Sequence, residues 1–417
     1  MQPHRGFQHA NLAQRHTPGL SDSGSQMEGW ADLLMKAVLS IAADNFVVNG
    51  TPTHPGRTWN GHRLEGLLFN RRASMAAFAD ANPITRELWT HADGTPWDPD
   101  RNVTAFTSVL PRWRACGLDA VALTLQGGPE THALRTSPPW QSPDPPWHSP
   151  AFTHDGSFDP ATRSRFERIL NAVSDSGLVA ILDLFRPGQD ARLDDEAAVR
   201  RATDQVCRWL LDRDDGNVII NVCQGSATYN YRHAILHPDR INELARQVRD
   251  TSKVGKRLLV GASVADGAIA SEFVADVHLM SPPFGSGSHT FRRAISALRE
   301  TPEFRAHPRP IVVCDGTGGD FDRPESQVAI ATEARVCWGL RDRPVSDDSG
   351  WVPANWDIDT PAGIAYLETI RSIAGTGSRP TDHPDVLLAD QRRMHAGFAS
   401  AIRSLGLTED VTPAGAP

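Results

Sequence analysis

The amino-acid sequence predicts an α/β fold, a single (β/α)8 barrel, on three observations. Short apolar segments rich in β-branched residues alternate with amphipathic stretches of helical period, which is typical of βα units around a parallel sheet. Eight such apolar segments occur, enough to close a ring. The Gly-x-Gly-x-x-Gly fingerprint of a dinucleotide-binding sheet is missing, and Gly316–Gly319 lacks the Lys-Ser/Thr of a phosphate-binding loop.

The barrel is expected to occupy residues 37–376 of the 417-residue chain, since barrels of this kind often exceed 250 residues as one domain. A partly disordered tail (1–36) is expected before it, and a C-terminal helix and tail (377–417) after it. Val38–Ile41 and Phe46–Val48 predict a β-hairpin that plugs the bottom of the barrel.

The elements follow in order along the chain. The eight strands are predicted at Leu64–Asn70, Ala120–Leu125, Leu178–Leu184, Val218–Val222, Arg257–Ala262, Asp276–Met280, Pro310–Cys314 and Val336–Leu340. Helices are predicted at 101–116, 159–176, 193–212, Pro238–Asp250, Phe291–Glu300, Pro324–Ala334 and Thr360–Ile373, with a C-terminal extension at 387–405.

Composition excludes several classes of partner. The formal net charge of -8 disfavours nucleic acid and anionic membrane surfaces, and no apolar run is long enough to span a bilayer.

The five cysteines are irregularly spaced and the first 25 residues are polar, which predicts reduced thiols and a cytoplasmic protein. No cofactor or metal is expected, because CxxC pairs are absent and the His233/His237 pair lacks further ligands. The oligomeric state stays open.

Chemistry in this fold belongs at the carboxyl ends of the strands. There the sequence offers Asp183, Asp190 and Asp315 as acids, and we add Glu65, which falls within the first predicted strand. Ligand contacts are expected from polar, thiol and aromatic residues at strand ends and in the loops: Trp59, Asn70, Arg72, Asp80, Gln126, Gln189, Cys223, Gln224, Cys314, Trp338, Trp351 and Trp356. The chain has 11 Trp against 3 Tyr, and flat indole rings suit the apolar faces of sugars.

Seven motifs carry a resemblance to a known family. They are Asn49–Trp59, Leu64–Asn70, Asp80–Pro83, Trp97–Pro99, Leu125–Gly128, Gly188–Asp190 and Val352–Trp356. Together they resemble the cellulase-like glycoside hydrolases of clan A, over about residues 46–375. The resemblance implies a carbohydrate or other small-molecule ligand, an acid/base Glu after an Asn at the end of strand four, and a nucleophilic Glu at the end of strand seven. It also implies a sugar-stacking aromatic at the end of strand eight, where Trp338 stands.

The sequence departs from that pattern at both catalytic positions. Gln224-Gly225 replaces Asn-Glu, and Asp315 replaces the nucleophile with a side chain shorter by one methylene. Three alternatives follow. Asp315 acts with a substitute acid (Asp183, Asp190 or Glu65), the barrel performs other chemistry of a lyase or cyclase kind, or the protein binds carbohydrate without catalysis.

Structural roles compete with these functional ones. Glu65 is as easily the partner of an arginine, and Asp315 is as easily a turn residue before glycines. Cys223, Cys314 and Cys337 are better explained as packing thiols, since no His stands next to any of them in the sequence.

Overall fold

The computed structural model describes residues 37–91, 93–129, 146–227, 229–264, 274–280, 288–317, 321, 323–341, 356 and 361–376. Its strands are β1 (Leu39–Ala42), β2 (Asn45–Val48), β3 (Thr51–Pro52), β4 (Thr58–Trp59), β5 (His62–Arg63), β6 (Asn70–Arg72), β7 (Ala120–Thr124), β8 (Val179–Phe185), β9 (Val218–Cys223), β10 (Ser252–Lys253), β11 (Lys256–Arg257), β12 (Leu259–Val264), β13 (Val277–Met280), β14 (Ile311–Val313) and β15 (Gly339–Leu340). The α-helices are α1 (Pro99–Ala115), α2 (Pro160–Asp175), α3 (Glu196–Arg213), α4 (Ile241–Asp250), α5 (Ser288–Glu300), α6 (Pro302–Ala306), α7 (Gln327–Glu333) and α8 (Pro361–Ala374). Short 3-10 turns lie at Arg86–Leu88, Asp190–Arg192 and Ala234–Leu236.

Eight strands form one parallel sheet that closes on itself, which confirms the predicted barrel. Their order is β14-β13-β12-β9-β8-β7-β6-β15. The two edges meet through parallel bridges that pair Val312 with Cys337 and Gly316 with Leu340. The amide of Val313 donates to the carbonyl of Cys337 at 2.8 Å across this seam. Because all eight strands are parallel, their carboxyl ends lie on one face of the barrel.

The helices begin where the sequence provides caps. The side chain of Asp98 accepts from the amides of Asp100 and Arg101, and Pro99 occupies the first turn of α1. Asp159 and Asp195 cap α2 and α3 in the same way. The C-terminal helix predicted at 387–405 lies outside the described residues.

The predicted hairpin is present at the amino end of the barrel. β1 and β2 pair antiparallel, and β3 extends them to three strands. The amide of Leu39 bonds to the carbonyl of Gly216, just before β9, and the amide of Phe46 bonds to Gly66, before β6. The hairpin therefore joins the segments that lead into two barrel strands.

Several predicted boundaries differ from the structure, and two of them have a clear local cause. The first strand is Asn70–Arg72 rather than Leu64–Asn70, because Gly66 has a φ of 84° and turns the chain within the apolar run. Helix α4 begins at Ile241 rather than Pro238, since the amides of Arg240 and Ile241 both bond back to His237 in a preceding turn.

Within the described residues, no helix is long and apolar enough to cross a membrane.

Candidate functional site

A buried arginine links two carboxylates inside the barrel. Arg72 Nη1 lies 2.5 Å from Asp183 Oδ2, and Arg72 Nε lies 2.5 Å from Asp315 Oδ1. Arg72 is on β6, Asp183 on β8, and Asp315 follows β14, so these contacts cross the barrel interior between strands that are not neighbours. We call these three residues the Arg72 cluster.

Neighbouring strands complete the bonding of Asp183. The side chain of Asn221 on β9 donates to Asp183 Oδ1 at 2.7 Å, and the hydroxyl of Thr124 on β7 donates to Oδ2 at 3.2 Å. Parallel register brings them together, since Asp183 pairs with Thr124 on one side and with Asn221 on the other. Four adjacent strands thus supply one polar layer within an apolar core.

Burial and charge act in opposite directions within the Arg72 cluster. Burial alone lowers the pKa of Arg72, but the charges of Asp183 and Asp315 outweigh it, so the pKa rises well above its usual value. Burial raises the pKa of Asp183, and the nearby charge of Asp315 adds to that rise although Arg72 and Asn221 oppose it. One guanidinium is therefore shared by two carboxylates.

This arrangement limits what the two acids are able to do. A retaining glycosidase needs two carboxyl groups about 5–5.5 Å apart with one oxygen free to attack the sugar. Asp183 is fully buried and both of its oxygens accept hydrogen bonds. Asp315 is 6% exposed and its Oδ1 faces Arg72. Asp183 is therefore fully bonded to protein groups, whereas Asp315 is paired with Arg72 by charge, without a hydrogen bond at its Oδ1.

Glycine occupies the position at which the resemblance implies an acid/base Glu, and its backbone conformation is unusual. Gly225 has a φ of 58°, in the left-handed region that favours glycine. Its carbonyl accepts from the side chain of Asn230 at 3.0 Å. The residue that precedes it, Gln224, is held through its backbone, with its amide donating to Phe185 and its carbonyl accepting from the hydroxyl of Tyr231.

Several buried polar atoms lack hydrogen-bond partners among the described residues. They include Gln224 Oε1 just after β9, Asn70 Oδ1 at the first residue of β6, Trp338 Nε1 just before β15, and Asp315 Oδ1, whose contact with Arg72 Nε is an ion pair without hydrogen-bond geometry. The Asn70 amide donates from Nδ2 to the carbonyl of Val313 at 3.0 Å, so only its oxygen is unmatched. Buried polar atoms are normally bonded, so each unmatched one is unusual.

Trp338 is fully buried in this structure. Its ring packs against Phe321 and Tyr366 at centroid distances of 5.9 and 5.3 Å. A Cβ on Gly316 would lie 2.3 Å from the indole, so this glycine permits the close packing. Phe321, Tyr366 and Gly316 therefore all contact the indole.

Several predicted ligand residues instead organise the loops at the carboxyl end. Asp80 accepts from the amides of Asn82 and His148, the hydroxyl of Thr85 and the indole of Trp89. Gln126 accepts from the amide of Arg186 at 2.9 Å. Gln189 bonds to the amide of Ser149 and the carbonyl of Trp147.

Asp190 also ties loops together. Its Oδ2 accepts from the amides of Arg232 and His233, whereas Oδ1 has no hydrogen-bond partner within the described residues. Burial raises the pKa of Asp190, and the two backbone amides oppose that rise. The nearby histidines bond to backbone: His233 Nε2 to Leu193 and His237 Nε2 to Tyr231.

The thiols at strand ends are buried and unactivated. Burial raises the pKa of Cys223 and Cys314 far above the usual range, and that of Cys337 to about 12. Cys337 accepts a hydrogen bond from the amide of Leu68 at 3.1 Å. A nucleophilic thiol needs a lowered pKa, so the packing role is the better description.

Other predicted residues lie away from the Arg72 cluster. Glu65 stands before the amino end of β6, opposite to Asp315, where it pairs with Arg63 at 2.7 Å. Its predicted position depended on the wrong bounds of the first strand. Trp59 belongs to the small β4–β5 sheet, and Trp356 packs on α1 with its indole bonded to Asn102. Trp351 lies outside the described residues.

Sequence reasoning missed Thr124 and Asn221. Both are polar residues within buried strands, and that contrast with their apolar neighbours was the available signal. Within the described residues, no group of three or more His, Cys, Asp and Glu is placed to hold a metal ion.

Comparison with known proteins gives similarity in structure only. No family model and no curated protein matches the chain. A protein from Bacteroides vulgatus assigned as a glycoside hydrolase is similar with 14% identity and a TM-score of 0.47, and the match covers 81% of this chain but only 61% of that one. A glycoside hydrolase family 5 enzyme from Prevotella bryantii (11% identity, 74% and 96% covered, TM-score 0.47) and a β-glucanase from Saccharophagus degradans (11%, 82% and 96%, 0.45) are similar too.

At such identities the similarity concerns barrel architecture alone, so function has to be inferred from this chain's own residues.

Proposed function

We propose that this protein is a glycoside hydrolase-like barrel that binds a small glycoside or sugar-bearing metabolite at its carboxyl end without cleaving it by double displacement. The observation that carries the proposal is the sharing of Arg72 between Asp183 and Asp315. A carboxylate that is neutralised by a buried guanidinium is a poor nucleophile, because attack would require breaking that pair.

The acid/base position supports the same proposal. Glycine at 225 provides no proton donor, and Asp183 is fully buried with its oxygens already bonded. Gln224 Oε1 remains as an unmatched acceptor just after β9, and a sugar hydroxyl is a suitable donor for such an atom. All five cysteines are free and buried, which supports a cytoplasmic location.

Calorimetry against a panel of mono- and disaccharides tests this proposal. We expect binding of at least one sugar, and a loss of about three- to tenfold in affinity for Gln224→Ala, the value of one neutral hydrogen bond. The control is Gln247→Ala. The Gln247 side chain bonds to the carbonyl of Arg200 outside the barrel, so its removal should leave sugar binding unchanged. Failure of every sugar to bind would exclude the proposal.

A second candidate function is hydrolysis with Asp315 as nucleophile and Asp183 as acid. It is favoured by the burial that raises the pKa of Asp183, as a general acid requires. Turnover of aryl glycosides that disappears in both Asp315→Ala and Asp183→Asn would support it. Turnover that survives Asp315→Ala would eliminate it.

A further inference from the structure

A second cleft lies at the amino end of the barrel, away from the Arg72 cluster. Its volume is about 590 Å³, and it is lined by residues 39–41 and 43 of the hairpin, by Arg249, Arg257 and Leu259, and by residues 274–276 and 307–309. Residue 257 precedes β12, residue 276 precedes β13 and residue 309 precedes β14, which fixes the cleft at this end. We call it the basal cleft.

The basal cleft carries an excess of positive charge. Its lining has three arginines (Arg249, Arg257 and Arg309) and His307, and Asp276 is the one acid among the lining residues that the structure describes. Asp276 is occupied, because Arg257 binds both of its oxygens at 2.7 and 2.8 Å and the amide of Val260 donates to it at 3.0 Å. A local excess of this kind in a chain of net charge -8 is not a general property of the surface.

Backbone contacts hold the other two guanidiniums in place. Arg249 Nη1 donates to the carbonyl of Val274 at 3.1 Å, and Arg309 donates from Nη1 to Ala275 and from Nε to His307. Carbonyl acceptors orient a guanidinium without cancelling its charge. Burial lowers the pKa of Arg309, and the charge of Asp276 opposes that change. The charge of Arg249 lowers the pKa further, so the two cations are close enough to repel.

We propose that the basal cleft binds a phosphate-sized oxyanion, free or carried by a small metabolite, with Arg249 as its principal contact. Guanidinium groups bind phosphate oxygens through paired hydrogen bonds, and an anion would relieve the repulsion between Arg249 and Arg309. The volume lies within the range of small-molecule sites and exceeds what one oxyanion needs, so a phosphorylated metabolite fits.

The test is calorimetric titration of the full chain at low ionic strength with inorganic phosphate, a hexose phosphate and the same hexose without phosphate. We expect both phosphates to bind and the neutral hexose not to compete. Tighter binding of the hexose phosphate would support a metabolite as the source, and equal binding would support the free oxyanion.

Variants of one residue make the test specific. Arg249→Gln should weaken phosphate binding by about tenfold or more, because it removes a charge-assisted contact, and Arg249→Lys should restore part of it. Arg246→Gln removes a positive charge from the same helix outside the cleft lining and should change the affinity by less than about twofold. No binding of either phosphate at millimolar concentration, or equal weakening by Arg246→Gln and Arg249→Gln, would overturn the proposal.

Discussion

Two buried carboxylates, Asp119 just before the amino end of β7 and Asp183 within β8, differ in how many cations contact them. Asp119 at the amino end accepts from His54 at 2.7 Å, from Arg114 at 3.2 Å and from the amide of Phe69 at 2.9 Å. Asp183, nearer the carboxyl end, shares the single guanidinium of Arg72 with Asp315.

The pKa values respond in opposite directions. Burial raises the pKa of both carboxyl groups, but at Asp119 the contacts with His54, Arg114 and Phe69 outweigh burial and the pKa is lowered. At Asp183 burial prevails and the pKa is raised. The amino end is therefore arranged to stabilise an ionised carboxylate, whereas the Arg72 cluster has one positive charge too few.

The largest change in the free energy of unfolding is expected for Arg72→Met. Removing the shared cation leaves two buried carboxylates without a counter-ion, so the free energy of unfolding should fall by about 3–5 kcal/mol. Urea unfolding at pH 7 measures it. Replacing Arg72, Asp183 and Asp315 together with apolar residues should recover much of the loss. A loss below about 1 kcal/mol for the single variant would contradict the shared-cation description.

A smaller effect separates the two carboxylates directly. Asp119→Asn should lower the free energy of unfolding at pH 7 by about 1.5–3 kcal/mol, because hydrogen bonds to a charged group are lost. Asp183→Asn should cost less, since it ends the competition with Asp315 for Arg72. The same denaturation assay measures both variants. A larger loss of stability for Asp183→Asn than for Asp119→Asn would refute the contrast between the two carboxylates.

Gly225→Ala is expected to cost about 1–2 kcal/mol, because a Cβ is unfavourable at a φ of 58°. Gly225→Asn is the matched control and should cost less, since asparagine tolerates the left-handed region. Thermal unfolding measures both, and equal, negligible losses would show that the backbone here is free to change.

The pH dependence of stability should identify the His54–Asp119 pair. Burial lowers the pKa of His54, and the charges of Arg114 and Arg57 lower it further. The contact with Asp119 raises it by more than these effects together, so the net shift is upward from 6.5. A raised histidine pKa gives stability that is complete below pH 6.5 and is lost as the pH rises through the folded pKa. Denaturation from pH 5.5 to 9 should show this decline in the wild type and a flatter profile in His54→Gln; identical profiles would refute it.

The sequence predicted the barrel, its strand order along the chain and three members of the Arg72 cluster, because strand ends in a barrel converge. It did not predict that residue 72 contacts both 183 and 315, since such pairing depends on barrel stagger rather than on spacing. Glu65 was misplaced because Leu64–Phe69 has the composition of a strand but contains the turn at Gly66.

The β10–β11 hairpin was missed for a similar reason. Val254 and Gly255 form its turn with φ values of 50° and 75°, and β-branched residues rarely adopt the first of these. Arg257 belongs to this hairpin rather than to the barrel strand in which we expected it.

The central claim, that Asp315 is held by Arg72 and does not attack a sugar, is tested most directly by intact-mass spectrometry. The protein is incubated with the 2-deoxy-2-fluoro aryl glycoside of a sugar that calorimetry shows to bind, a reagent that traps the covalent intermediate of a retaining glycosidase. We predict an unchanged mass. A mass increase of one glycosyl unit that is absent from Asp315→Ala would contradict the account.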